Sequence, residues 1–354
     1  MAQPLDSGVP AHVGDLVECL DPRRFDITVA CPPGSATWRR LAARPGVSLL
    51  PLTARRAPHP SDVLWALRLV PHVRRSDVVH AHSSKAAWVA RAAAVMAGRR
   101  SRCVVTPHGW SFWALSGAGR RIVVVGERAA ARCCARIVAV SAAEREAGLR
   151  LGIGTPSLYR VVPNGIDLSR AAGDRPPDSR RVLFLGRLAA QKRPDLAVRA
   201  LALARRTAPD LELTLCGEGE QRASLDALMT HLSLNKAVRM QGWCDDVFAQ
   251  LRSCMCLLVT STYEGCPLTV LEAMAAGVPV VAVRVPGMDE VVRDGETGIL
   301  CSEDPGDIAA ALVRLHRSPE LACRLGEAGR ELARLRHSRE RMAAELASIY
   351  SALA

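Results

Sequence analysis

Two carboxylates eight positions apart, Glu264 and Glu272, stand in the run Glu264-Gly-Cys-Pro-Leu-Thr-Val-Leu-Glu272. The run before them, Cys254-Met-Cys-Leu-Leu-Val-Thr260, is apolar and short enough for a buried parallel strand. The run after them, Leu271-Glu-Ala-Met-Ala-Ala-Gly277, reads as a helix closed by a glycine. Glu264 is therefore expected in a loop above a strand's carboxyl end, with Glu272 on the first turns of the next helix. That is where open α/β sheets bind their ligands. Leu268 and Thr269 would offer backbone N–H groups at the helix start, a ready site for an anion, and Pro267 suits the first helical position because it has no N–H to lose. A second cluster lies in Val182-Leu-Phe-Leu-Gly-Arg-Leu-Ala-Ala-Gln-Lys-Arg-Pro-Asp195, a strand, a turn at Gly186 and two cations, Arg187 and Lys192, five positions apart. Fixed cations in such a turn stabilise a developing anion without having to reorganise.

Short apolar runs alternating with helical patterns must position these groups, as in parallel sheets built from βαβ units. In the first half the runs are 25–31, 47–52, 77–82, 103–106, 137–141 and 159–162. In the second they are 182–186, 211–216, 238–241, 254–260 and 278–283. Between the sets lies turn chemistry, Pro163-Asn-Gly-Ile-Asp167 and Gly173-Asp-Arg-Pro-Pro-Asp-Ser179, which predicts a linker. The fold class is α/β, and 354 residues with 49% hydrophobic content suffice for two cores. There is no internal repeat and no low-complexity tract.

The Glu-x7-Glu pair in this setting, with Glu272-Ala-Met-Ala-Ala-Gly-Val-Pro-Val-Val-Ala282 and Asp294-Gly-Glu-Thr-Gly-Ile-Leu300, resembles the signature of the retaining glycosyltransferases of family 4. The resemblance covers nearly the whole chain. It implies the GT-B fold, two Rossmann-like domains facing across a cleft. The first, 1–167, would be the acceptor side; the second, 168–338, would bind the nucleotide sugar; a last helix, 339–354, would pack back on the first domain. The chain opens Met-Ala-Gln-Pro-Leu-Asp-Ser-Gly-Val-Pro10, which resembles the loop after the family's first strand, with the strand itself nearly absent. A mis-assigned start or a trimmed chain is the expectation.

By the same resemblance, Arg187 and Lys192 form the diphosphate clamp. Glu272 accepts the ribose hydroxyls, a task suited to two acceptor oxygens, and Glu264 meets the donor sugar. Cys266, Pro267, Leu268 and Thr269 line the donor phosphates. Gly217, in Cys216-Gly-Glu-Gly-Glu220, looks like a nucleotide-side turn; Gly242 and Trp243 are expected to line the base pocket; Gly8 is expected to admit backbone to the phosphates, though Ser7-Gly8 replaces a usual glycine pair, as Pro286-Gly287 does later. In the first half, Asp77-Val-Val-His-Ala-His-Ser-Ser-Lys-Ala86 and Val104-Val-Thr-Pro-His-Gly-Trp110 match family patterns at strand ends. His80 and His82 read as core residues, whereas His108, in a loop after its strand, resembles the histidine used near the donor sugar.

The implied reaction is transfer of a hexose-type sugar from a nucleoside diphosphate, UDP favoured, to a hydroxyl of a glycan, lipid-linked or small-molecule acceptor. The anomeric configuration would be retained, with no cofactor beyond the substrate. No Asp-x-Asp occurs, so no metal is expected. Two alternatives stay open: a nucleotide-sugar 2-epimerase of the same fold, and a binding module that has lost catalysis.

Composition adds a location and a partner. No apolar run approaches the roughly 18 residues of a membrane span, and the first twenty residues carry no secretory pattern, so a cytoplasmic protein is expected. Twelve cysteines, several in strand-like runs and none in a Cys-x2-Cys, read as reduced structural thiols. The net charge is +12, with 24 Lys+Arg against 11 Asp+Glu in residues 1–170 and 23 against 24 in the rest. An excess confined to one half predicts an anionic partner there. We expect peripheral docking on the inner face of the plasma membrane, through Trp110-Ser-Phe-Trp-Ala-Leu115 and Arg120-Arg121. The basic half shows no nucleic-acid motif, so no nucleic-acid partner is expected.

Overall fold

A computed structural model describes residues 8–52, 59–172 and 180–354. The predicted linker at 173–179 and the opening Met1–Ser7 lie outside the described residues. The chain divides into two compact units: residues up to Gly165 together with Arg339–Ala354, and Ile166–Ser338.

In chain order the first unit runs α1 (Gly8–Cys19), β1 (Ile27–Cys31), α2 (Ala36–Leu41), β2 (Val47–Pro51), α3 (Ser61–Arg75), β3 (Val79–His82), α4 (Ser84–Met96), β4 (Cys103–Thr106), α5 (Gly117–Ala130), β5 (Arg136–Ala139), α6 (Ala142–Arg150) and β6 (Tyr159–Val161). Its strands are parallel but fall in two sheets, β1-β2 and β3-β4-β5-β6. Gly8 begins a helix rather than a loop. The α1 helix is tied to α2 by Arg40, whose guanidinium reaches Asp15 at 2.7 Å and Glu18 at 2.6 Å.

The second unit continues with β7 (Arg181–Leu185), α7 (Pro194–Ala204), β8 (Glu212–Cys216), α8 (Arg222–His231), β9 (Val238–Gly242), α9 (Val247–Arg252), β10 (Cys256–Val259), α10 (Leu268–Ala275), β11 (Val280–Val283), α11 (Met288–Val291), β12 (Gly298–Cys301), α12 (Pro305–Arg317) and α13 (Pro319–Arg336). Its strands make one parallel sheet in the order β12-β11-β10-β7-β8-β9. Eleven of the twelve strands among the described residues answer to the predicted runs. The twelfth, β12, is absent from them because its four residues begin with Gly298 and give no alternation to read.

The last helix, α14 (Arg339–Ser351), belongs to the first unit. Its apolar face, Met342, Ala343, Leu346 and Tyr350, is buried with Leu16, Leu20, Val104, Val138 and Val162. Arg339 meets Glu18 at 3.1 Å, and Arg341 donates to the Pro163 carbonyl at 2.6 Å. All twelve cysteines lie among the described residues, and none of them is in a disulfide.

Candidate active site

In the second unit the site residues gather at the carboxyl ends of the parallel strands, around the point where the strand order reverses. From β7 the sheet grows one way through β8 and β9, and β10 flanks β7 on the other side. Loops leaving β7 and β10 therefore part at a crevice, the usual ligand position in such sheets. The loop after β7 carries Arg187 and Lys192; the loop after β10 carries Glu264. The structure pairs them directly: Lys192 Nζ donates to Glu264 Oε1 at 2.5 Å, with the carboxylate side chain only 8% exposed. Sequence reasoning had given these two groups separate tasks. Arg187 donates to Gln191 Oε1 at 3.1 Å, and Gln191 in turn reaches the Tyr263 carbonyl at 3.3 Å, so Gln191 ties the two loops together.

Glycines let the neighbouring loops close in. Gly217 has φ +146°, and a Cβ there would lie 1.9 Å from the Gly186 carbonyl oxygen. Its amide donates to the Gly242 carbonyl at 2.7 Å, joining the ends of β8 and β9. Gly287, at φ +89°, would put a Cβ 2.5 Å from the Gly265 carbonyl, so the loop after β11 rests on the backbone beside Glu264. The sequence reading noted Gly287 only as half of a departed pair; close backbone approach is what it serves.

Pro267 caps α10 rather than occupying its first turn, so the helix opens with the Leu268 and Thr269 amides. Cys266 and Pro267 are buried, and Glu272 is half-buried one turn into the helix. Trp243 is 59% exposed, its indole N–H donating to Asp245 at 3.1 Å.

In the first unit His108 follows β4 at φ +56°, a left-handed conformation unusual outside glycine, with Gly109 at φ +94° next to it. Glu144, buried at the start of α6, holds this bend: Oε1 accepts from the Gly109 amide at 2.5 Å and Oε2 from the Val140 amide at 2.7 Å, while its carbonyl accepts from the Trp110 indole at 2.8 Å. Sequence reasoning missed Glu144. Its signal was Ser141-x-x-Glu144 after a strand, since Ser141 caps the helix by accepting from the Glu144 amide at 3.1 Å.

His108 is not alone. His82 Nδ1 lies 3.1 Å from His108 Nε2, and the His12 ring stands edge-on to His108 with centroids 4.5 Å apart. The His80 ring lies tilted beside that of His82, with centroids 4.0 Å apart, and is anchored to the Tyr350 hydroxyl at 2.6 Å and to Thr106 at 2.8 Å. Burial pushes the His12 imidazole down to about 4. It also holds His80, His82 and His108 well below the ordinary histidine range, with neighbouring rings opposing charge further. Reading His80 and His82 as core residues described their burial and overlooked the company they keep.

Residues 166–332 match the family model described as Glycosyl transferases group 1, and residues 7–170 match that of Glycosyltransferase Family 4. The chain belongs to these glycosyltransferases. It is 28% identical over 332 residues to an Escherichia coli UDP-Gal:alpha-D-GlcNAc-diphosphoundecaprenol alpha-1,3-galactosyltransferase, covering 88% of this chain and 85% of that protein. It is 34% identical to the Mycobacterium tuberculosis glycogen synthase over 73% of this chain and 64% of that enzyme. The crystal structure of HepE from Anabaena in complex with UDP and glucose superposes with a TM-score of 0.85 over 99% of this chain and 98% of that one, at 21% identity. The fold is thus that of the GT-B glycosyltransferases, and a nucleotide-sugar transferase is the class of enzyme.

Proposed function

We propose that this glycosyltransferase moves a hexose-type sugar from a nucleoside-diphosphate sugar, UDP favoured, to a hydroxyl acceptor, retains the anomeric configuration and needs no metal. The observation that carries this reading is Lys192 against Glu264 at the switch point of the sheet, with Arg187 on the same loop. An arriving diphosphate brings its own negative charge to Lys192, releasing Glu264 to accept from sugar hydroxyls. Arg187, Lys192 and the Leu268 and Thr269 amides would then hold the departing diphosphate, whose charge grows in the transition state. No side chain here needs to be a covalent nucleophile. In a front-side displacement the leaving phosphate takes the acceptor's proton, and positioning supplies most of the rate. Glu272 is the candidate for the ribose hydroxyls, Gly217, Gly242 and Trp243 for the nucleoside, and His108 for the donor sugar. Incubation with a panel of nucleotide sugars, with excess chelator, tests the reading. Slow release of nucleoside diphosphate from one donor is expected. Release that stops in chelator and returns with magnesium would overturn metal independence, and inversion at C2 without release would favour the epimerase.

A lipid-linked acceptor suits the basic first unit, but not through Trp110 and Phe112 of the segment first suggested. Trp110 and Phe112 are 2% and 1% exposed and stack at 5.4 Å inside the core. Leu115 of that segment is 41% exposed, and further exposed apolar side chains lie on α3 (Val63, Leu64, Leu67), α4 (Trp88) and α5 (Ile122 at 72%, Val125), with Arg68 on the first and Arg120 and Arg121 on the last of these helices. These helices adjoin: α3 packs on α4, and Trp88 of α4 lies so close to Gly126 of α5 that a Cβ there would sit 2.5 Å away. Apolar side chains beside arginines fit an anionic membrane surface, each cation adding roughly 1 kcal/mol. No helix among the described residues is long and apolar enough to cross a membrane. Co-sedimentation with anionic vesicles at low salt should be lost in Ile122→Asp/Val125→Asp; unchanged sedimentation would remove this face from the reading.

A further inference from the structure

The ring nitrogens of His12, His82 and His108 converge, each offering one nitrogen within 4.8 Å of the others. Four-coordinate zinc holds imidazole nitrogens at about 2.0–2.1 Å, which sets ligand nitrogens roughly 3.4 Å apart. His82 and His108 already stand at 3.1 Å. Modest ring rotations bring in His12, whose ring centroid lies 5.1 Å from that of His82 and 4.5 Å from that of His108, in exchange for its hydrogen bond to Asn164. We propose that His12, His82 and His108 form a site for a borderline divalent transition cation of the zinc and cobalt class, and that a cation held there blocks sugar transfer by occupying His108.

Three features suit the assignment. The ligands come from three different elements, α1, the end of β3 and the loop after β4, so the folded unit assembles the site without a contiguous motif. Burial keeps all three rings neutral, leaving lone pairs for a metal rather than protons. Three imidazoles leave a fourth position for water or a substrate hydroxyl. Magnesium and calcium, which take oxygen ligands, would be refused, and the affinity among first-row cations should follow the usual order from cobalt through nickel and copper. Such a cation is no cofactor of the transfer: it competes for a residue the transfer uses. The inhibitory half of the proposal rests on the sugar contact proposed for His108, whereas the binding half rests on the geometry alone.

Cobalt titration of the full chain is the test. Twelve cysteines are potential rivals, and cobalt separates them: an imidazole site gives tetrahedral d–d bands without the charge-transfer band of a cobalt–thiolate bond. One equivalent with the thiolate-free spectrum is expected, displaced by zinc and unaffected by magnesium. His12→Gln and His82→Gln should each weaken binding about tenfold or more, since even the loss of an outer partner costs that much at a metal site. The exposed control His59→Gln should bind as the wild type does. A thiolate spectrum, octahedral cobalt only, or equal binding by all three variants would overturn the site. If cobalt binds as described and one equivalent of bound zinc leaves transfer unimpaired, the inhibitory claim and the role of His108 fall together, and the metal site stands.

Discussion

The two units build their candidate sites from different materials. The second unit uses backbone and loop ends: one continuous parallel sheet whose loops close over Gly217 and Gly287, where any Cβ would strike a carbonyl, with the ion pair Lys192–Glu264 at the reversal of strand order. The first unit uses side chains: a helix returned from the far end of the chain, and four neutral histidines packed around the ends of β3 and β4. A site of backbone amides and glycines is formed as soon as the loops close, and needs fixed charge only where the ligand's charge changes. A site of buried rings depends on every element that keeps water out. It should therefore answer to pH and metal where the other answers to substitution.

The largest effect should come from the ion pair. Lys192→Ala removes one charge-assisted contact from the departing diphosphate and should cost about 2.7–4 kcal/mol in kcat, or roughly 100- to 1,000-fold. It also strands Glu264 with its side chain 8% exposed, and breaking a buried pair can cost about 3–5 kcal/mol, so melting must be measured on the same sample. Near-normal turnover at saturating donor would leave the second unit without a charged centre. Gly217→Ala comes next. Its methyl would meet the Gly186 carbonyl, which as backbone cannot swing aside, so a stability loss of about 3 kcal/mol, at the upper end for overpacking, is expected. Denaturant unfolding and calorimetry with UDP check it, and an unaltered midpoint would mean that the loop has slack.

The smallest single-group effect belongs to His12 in the first unit. His12 has a lower proton affinity folded than unfolded, so stability is full above the ordinary histidine value of 6.5 and is lost as pH falls toward about 4. At pH 5 His12 alone should remove about 2 kcal/mol, with His80, His82 and His108 acting in the same direction. Hydrogen exchange in chelator at pH 7.5 and 5 reads this unit by unit. Protection should fall first in β3, β4 and α1, and an equal fall in both units would break the comparison.

Legibility followed the same division. Strand positions could be read because buried parallel strands are short apolar runs between turn residues, and Gly298–Cys301 escaped for want of that pattern. Arg187, Lys192 and Glu264 could be singled out because they lie in the loops that follow β7 and β10, and Glu272 because it lies in the helix directly after the second of these loops, where local spacing carries the geometry. Glu144 was hidden in an ordinary capping pattern, and its side chain turned instead to the His108–Gly109 bend. Trp110-Ser-Phe-Trp looked like a surface anchor because aromatic content alone does not say which face is covered; stacking under the Glu144 carbonyl buries it.

By itself the sequence determined the α/β class, the twofold division of the chain, the family, and the strand-end groups of the second half, since these depend on local patterns along tens of residues. Only the tertiary structure decided which groups meet. Lys192 and Glu264 are 72 positions apart in the chain and one hydrogen bond apart in space. His12, His82 and His108 converge, and α14 packs on α1, because sheet order and helix packing fix distances that no sequence interval records. The exposed face of α3, α4 and α5 has the same origin: burial is a property of the packed elements, so the apolar residues left outside could be named only once the core was closed.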